Sequence, residues 1–126
     1  MRILVCGDRN WIDRTHMMNI LDDTFNSGDT LIYGCCRGAD NIAYDILRQY
    51  KTPTGDMDIN IKPFPADWDK YGKAAGPIRN QQMIDEGKPD IVLAFHNNIA
   101  KSKGTMDMIK RANAAGIEVR IYAEGK

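Results

Sequence analysis

The chain alternates short apolar runs with segments whose apolar residues recur at helical spacing. Three runs are almost continuously apolar, which is typical of strands buried on both faces of a sheet; they are Arg2 to Cys6, Thr30 to Tyr33 and Asp90 to Phe95. Two weaker runs, Ile59 to Pro63 and Glu118 to Tyr122, alternate in polarity or end in proline, as edge strands do. The pattern therefore predicts five strands.

Four helices are predicted between these strands. In the clearest one, from Ala39 to Tyr50, the apolar residues recur at helical intervals and share one face. The others are predicted after a capping Asp13, from Ala74 to Glu86, and from Thr105 to Gly116. The segment Lys51 to Asp58 is predicted as a surface loop. The order β-α-β-α-β-α-β-α-β indicates an α/β fold, a doubly wound, mainly parallel five-stranded sheet with helices on both faces.

Composition and charge narrow the class of protein. The 126 residues suit a single domain over positions 1–126. No apolar run approaches the ~18 residues of a membrane span, the start lacks a signal peptide pattern, and the three cysteines form no CxxC pair, so we expect a cytoplasmic protein. Basic and acidic residues both number 17, whereas nucleic-acid binding through phosphates needs a basic excess. Any site for an anion must therefore be local.

Unusual residues cluster where the predicted strands end. The first, second and fourth strands are followed by Gly7 to Trp11, Gly34 to Asp40 and His96 to Thr105. In a doubly wound sheet, ligands bind beyond the carboxyl ends of the strands, where the strand order reverses. Glycines permit close approach of the backbone, and the helix starts at Gly38 and Gly104 offer free N–H groups. Together with nearby arginines, these features favour a site for a phosphate or pyrophosphate.

Four segments and their spacing resemble the small YspA-like members of the SLOG superfamily. These segments are GDRNW, GCCRGAD, PADWDKYGKAAGPIRNQQMID and KGTMDMIKRANAAGI, and the resemblance runs from Met1 to about Ile121. The superfamily is a Rossmann-like group that includes the LONELY GUY phosphoribohydrolases and the DNA-processing protein Smf/DprA. The resemblance implies a Rossmann-like fold and a nucleotide or nucleotide-derived ligand at the strand carboxyl ends. It also implies a homo-oligomer, and we predict a homodimer or homotetramer.

The resemblance bears on catalysis through two positions. In the LONELY GUY branch, an arginine on the third helix and a glutamate in a GGxGTxxE signature support cleavage of the N-glycosidic bond of a nucleoside monophosphate. Arg79 resembles that arginine. Met108 stands at the glutamate position, and the neighbouring carboxylate of Asp107 lies ~100° around the helix. Binding is therefore favoured over turnover.

The leading hypothesis is binding (sensing, sequestering or processing) of a nucleotide or nucleotide-derived ligand, with no cofactor and no metal. One alternative is a nucleotide N-glycosidase or phosphoribohydrolase of the LONELY GUY type, in which Arg79 acts with Asp40 or Asp107. Another is DNA binding in the manner of Smf/DprA, which zero net charge disfavours. The predicted ligand-binding residues are Gly7, Asp8, Arg9, Gly34, Arg37, Gly38, Ala39, Asn80, Gly104 and Thr105.

Several of these residues also have purely structural interpretations. Asp40 and Asp107 are possible surface acids in the first turn of a helix, and Arg79 is close enough in sequence to pair with Asp85 or Glu86. We expect both tryptophans to pack rather than bind. A zinc site is disfavoured because adjacent cysteines chelate poorly; its candidate ligands would be Cys6, Cys35, Cys36 and His96.

Overall fold

Five parallel strands form one sheet in the order β3-β2-β1-β4-β5. The computed structural model describes residues 1–49 and 58–124. Within them the strands are β1 (Arg2–Gly7), β2 (Thr30–Tyr33), β3 (Asn60–Pro63), β4 (Ile91–Phe95) and β5 (Glu118–Tyr122). The predicted α/β class is confirmed, and the two weaker runs are the edge strands. Positions 51–57 of the predicted loop, like Tyr50, lie outside the described residues.

Helices cover both faces of this sheet. On one face lie α1 (Arg14–Thr24) and α2 (Ala39–Arg48), and on the other lie α4 (Ala75–Asp85) and α5 (Lys103–Ala114). The single turn α3 (Trp68–Tyr71), which the hydrophobic pattern did not predict, precedes α4. It begins because the Asp67 carboxylate accepts the Lys70 N–H at 3.1 Å.

Capping residues set the ends of the longer helices where the sequence indicates. The Asp13 carboxylate accepts the His16 N–H at 3.0 Å and so begins α1. Gly116, with φ of 74°, follows the last turn of α5 in the left-handed conformation that ends many helices. None of the helices in residues 1–49 and 58–124 is long and apolar enough to cross a bilayer.

The core has two layers because successive side chains of the central strand point to opposite faces. Ile3 and Val5 of β1 pack with α1 and α2, whereas Leu4 and Cys6 pack with α4 and α5. Trp11 closes the first layer: it is 1% exposed, and its ring centroid lies 5.5 Å from that of Phe95 in an edge-to-face contact. The packing role predicted for Trp11 is confirmed.

The strand order reverses between β1 and β4. From β1 the chain builds outward through β2 to β3, and it then crosses to β4 on the other side of β1. The backbones of β1 and β4 are close at their carboxyl ends, where a side chain at Gly7 would collide with the Phe95 carbonyl oxygen. The connections after β1 and β4 therefore diverge above this point, which is where such folds bind ligands.

Candidate functional site

A cavity of about 710 Å³ opens at the carboxyl ends of β1, β2 and β4, where the strand order reverses. Its volume is within the range of small-molecule sites. All the predicted site residues except Gly34, Gly38 and Ala39 line it. These lining residues are Gly7, Asp8, Arg9, Arg37, Asp40, Arg79, Asn80, Gly104, Thr105 and Asp107. The structure thus brings together groups that are up to a hundred positions apart in sequence.

The cavity is locally basic although the chain has no net charge. Its acidic side chains are Asp8, Asp40 and Asp107. The basic side chains are twice as many, namely Arg9, Arg37, Lys73, Arg79, Lys101 and Lys103. The amino-terminal end of α5 also faces the cavity and adds the positive end of its helix dipole. A local excess of positive charge favours an anionic ligand.

Arg79 is held by the backbone at the end of β2. It is only 8% exposed, its Nη1 donates to the Gly34 carbonyl oxygen at 2.6 Å, and its Nε donates to Asn80 Oδ1 at 3.1 Å. A Cβ atom at Gly34 would lie 2.5 Å from that Nη1, so only glycine leaves room for the guanidinium. Arg79 therefore does not pair with Asp85 or Glu86, and Gly34 positions it without lining the cavity.

One nitrogen of the Arg79 guanidinium is left for a ligand. In the described part of the chain, Nη2 has no hydrogen-bond partner. No buried side-chain nitrogen or oxygen there lacks a partner, so Nη2 must reach the accessible surface of the cavity. Because the other guanidinium nitrogens are fixed, this donor is already oriented for an acceptor.

Asp40 reaches the same place from the opposite face of the sheet. The residue is 5% exposed, and its Oδ2 accepts the Gly34 N–H at 2.9 Å. Burial raises the pKa of Asp40 to about 6, although the Gly34 N–H and the Arg79 guanidinium both favour the charged form. Asp40 is therefore not a surface acid. A carboxyl group that titrates near neutrality can give or take a proton.

Asp107 and Asn80 connect Arg79 to the start of α5. The Asn80 amide donates to Asp107 Oδ2 at 2.9 Å and to the Gly104 carbonyl oxygen at 3.3 Å. Asp107 Oδ2 also accepts from Arg111 Nε at 2.9 Å. Asp107 is thus held between an amide and a guanidinium at the edge of the cavity, while Met108 beside it is buried in the core.

The two helix starts differ in their relation to the cavity. At α5 the Ser102 hydroxyl accepts the Thr105 N–H at 3.1 Å, and Gly104 and Thr105 line the cavity. At α2, Gly38 has φ of 77°, and a Cβ atom there would lie 2.5 Å from the Arg9 carbonyl oxygen. Gly38 thus packs against the backbone of the loop after β1 and does not line the cavity.

Trp68 and His96 also line the cavity, although the sequence did not assign them to it. Trp68 is 49% exposed, and the Arg9 guanidinium carbon lies 6.0 Å from its ring centroid. His96 Nε2 lies 3.9 Å from Asp8 Oδ2. The position of His96 directly after a buried strand was the available signal. Trp68 was expected to pack, because a tryptophan is on average a highly buried residue, but about half of its surface is exposed.

The cysteines are free thiols. Cys6 forms part of the cavity floor, and burial together with the nearby Asp40 raises its pKa. Cys36 lies at the cavity wall with its Sγ 3.6 Å from Arg79 Nη1. Among the residues that the structure describes, no group of three or more His, Cys, Asp or Glu side chains is arranged to hold a metal ion.

Comparison with known proteins relates this chain to a bacteriophage protein. No family model matches the chain. The chain is similar to the Gene 61 protein of Mycobacterium phage D29, with 35% identical residues over 123 positions. The aligned region covers 94% of this chain and 93% of the phage protein, so the similarity spans essentially the whole length of both.

The raised pKa of Asp40 predicts a specific dependence of stability on pH. The carboxyl group of Asp40 binds its proton more tightly in the folded state than in the unfolded chain, because its pKa is about 6 in the fold and its ordinary value is 3.8. The contribution of Asp40 to the free energy of unfolding should therefore be greatest below pH 4 and fall by roughly 2–3 kcal/mol as the pH rises to 7. Urea unfolding of the protein and of Asp40→Asn, compared at each pH, isolates this contribution. A difference between the two that does not change with pH would contradict the assignment.

Proposed function

The chain belongs to the family of the Gene 61 protein of Mycobacterium phage D29, and from its cavity we propose that it binds a nucleotide or a nucleotide-derived ligand through the phosphate. The name of the phage protein states no activity. The proposal therefore depends on the geometry and charge of the cavity. The resemblance of its motifs to the SLOG superfamily supports the same proposal.

The observation that carries the proposal is the guanidinium of Arg79. It is buried, fixed by the Gly34 carbonyl and the Asn80 amide, and has Nη2 available to the cavity. Nη2 is thus a charged donor, already oriented by the bonds of its neighbours, that an anionic ligand in the cavity can use. The basic side chains at the cavity and the N–H groups at the start of α5 complete the surroundings that a phosphate needs.

Trp68 and Arg9 support the nucleotide part of the proposal. The tryptophan ring is half exposed at the cavity, and a guanidinium lies near it. An exposed aromatic ring beside a phosphate site offers a surface on which a base can stack. Asn10 also lines the cavity, and its side-chain amide can hydrogen-bond to the edge of a base.

Hydrolysis of the N-glycosidic bond is the second candidate function, and the buried Asp40 favours it. Its pKa of about 6 allows the carboxyl group to protonate the departing base or, when ionised, to take a proton from the attacking water. Arg79 would hold the phosphate in either role. The glutamate of the LONELY GUY signature is replaced by the buried Met108, however, and Asp107 is already bonded to Arg111. Binding without turnover is therefore the better supported function.

Replacing Arg79 should weaken binding of nucleotides selectively. We expect Arg79→Ala to raise the Kd for nucleoside 5′-monophosphates by about 10–100-fold, since a hydrogen bond to a charged group contributes about 1.5–3 kcal/mol. The matched control is Arg48→Ala, whose exposed side chain lies near Asp45 at the end of α2, away from the cavity lining. Calorimetric titration with the adenine, guanine, cytosine and uracil monophosphates measures both variants. An Arg79→Ala protein that melts like the parent and binds equally well would contradict the proposal.

The fate of the ligand separates the two candidate functions. We expect mass spectrometry to recover each retained nucleotide intact after heat denaturation of the protein. We also expect the Asp40→Asn variant to bind the same nucleotide with an affinity within about tenfold of the parent protein. Free base and ribose phosphate that form with the parent protein, and disappear with Asp40→Asn, would establish hydrolysis instead.

A homodimer or homotetramer in the cytoplasm remains part of the proposal. Apolar side chains exposed beside α4, including Tyr71 and Ile78, offer a surface for a second copy of the chain. Light scattering at micromolar concentration should give twice or four times the chain mass of 14.2 kDa. A monomer mass would contradict this expectation.

A further inference from the structure

Asp8 and His96 face each other where the strand order reverses. They directly follow β1 and β4, whose last residues are paired in the sheet, and both line the cavity. Their side chains are only 22% and 11% exposed. Neither has a part in the phosphate site or in the hydrolytic alternative described above.

Backbone hydrogen bonds fix the orientation of both side chains. The Asn98 N–H donates to His96 Nδ1 at 2.8 Å, so in the neutral ring the proton is on Nε2. The Asn10 N–H donates to Asp8 Oδ1 at 2.8 Å. Each side chain thus uses one atom to bind its own loop and presents the other, a donor on His96 and an acceptor on Asp8, to its neighbour.

The space between these two atoms fits a hydroxyl group. His96 Nε2 and Asp8 Oδ2 are 3.9 Å apart, which is too long for a direct hydrogen bond, and within residues 1–49 and 58–124 neither has another partner. A hydroxyl oxygen about 2.8 Å from each atom would span the gap, and the angle at this oxygen between Nε2 and Oδ2 would be roughly 90°. It would accept from Nε2–H and donate to Oδ2. A fully ionised phosphate has no proton to donate and would be repelled by the carboxylate.

The strand order indicates how far this pair lies from Arg79. Arg79 is bound at the end of β2, and β1 separates β2 from β4. Two strand spacings are roughly 10 Å. A ligand held by its phosphate at Arg79 can therefore place the hydroxyls of an attached sugar toward Asp8 and His96.

We propose that Asp8 and His96 bind a 2′ or 3′ hydroxyl of ribose and so make the site selective for ribonucleotides over deoxyribonucleotides. This inference rests on the proposed function, because it requires the phosphate to bind at Arg79. It adds the class of sugar, which the phosphate site alone does not determine.

The test compares nucleotides that differ by one hydroxyl. Calorimetric titration uses the four ribonucleoside 5′-monophosphates and their 2′-deoxy and 3′-deoxy counterparts. For the nucleotides that bind, we expect removal of one of the two hydroxyls to weaken binding at least about tenfold, because a carboxylate acceptor and an imidazole donor both lose their partner. Equal affinity for the ribo, 2′-deoxy and 3′-deoxy forms would overturn the inference.

Two conservative variants test the residues themselves. Asp8→Asn retains an oxygen for the Asn10 N–H but replaces the free acceptor with an NH₂ group, and His96→Asn retains an acceptor for the Asn98 N–H but removes the Nε2 donor. Each should reduce the ratio of ribo to deoxy affinity to less than about threefold. Asp23→Asn, on an exposed position of α1, is the control and should leave the ratio unchanged. If both cavity variants retain the parent ratio, the selectivity has another source and the inference is wrong.

The failure of this inference is distinguishable from failure of the proposed function. If ribo and deoxy forms bind equally and both lose affinity in Arg79→Ala, the phosphate site stands and the ribose selectivity is wrong. If no nucleotide of the panel binds, both the proposed function and the inference are wrong.

Discussion

A single residue at the end of β2, Gly34, holds both charged groups on which the cavity depends. The Gly34 carbonyl accepts from Arg79, which comes from α4, and the Gly34 N–H donates to Asp40, which comes from α2 on the other face of the sheet. A side chain at this position would meet both groups, since its Cβ would lie 2.5 Å from Arg79 Nη1 and 3.1 Å from Asp40 Oδ2. Buried charges are costly unless such partners are provided. This glycine therefore allows a cation and an acid to be buried next to each other over the open end of the sheet.

The rest of the cavity is built outward from this junction. The Asn80 amide accepts from Arg79 and donates to Gly104 and Asp107, which joins α4 to the start of α5. The loop that follows β1 and carries Asp8 packs against Gly38. Arg79 and the pair Asp8 and His96, for which we propose roles in binding a phosphate and a hydroxyl, therefore lie at one end of the sheet, each oriented by hydrogen bonds to the backbone. Such preorganisation lowers the entropic cost of binding.

Local patterns predicted the fold well because its strands and caps are encoded locally. The continuous apolar runs gave the three central strands, and Asp13 and Gly116 marked a helix start and a helix end. The ends of the strands also indicated where the cavity lies, since parallel strands all place their carboxyl ends at one edge. The short helix at Trp68 was missed because one turn has no apolar periodicity to detect.

The chemistry of individual side chains was less predictable because it depends on contacts that are distant in sequence. Nothing local distinguishes Asp40 from an exposed acid in the first turn of a helix. Its burial depends on the end of β2, where its carboxylate accepts the Gly34 N–H. The gap between Asp8 and His96 likewise exists only because β1 and β4 are neighbours. The exposure of Trp68 depends on the position of α3 beside the cavity.

The most direct measurement is a ¹H–¹⁵N spectrum of the arginine side chains during titration with ribose 5-phosphate, a probe that does not depend on the identity of the base. The Nε–H of Arg79 is buried against Asn80 and should give a resolved signal. The account predicts a saturable shift of this signal, with the signal of the exposed Arg48 unchanged. If other arginines shift while Arg79 does not, the phosphate does not bind where its guanidinium is held, and the central claim is wrong.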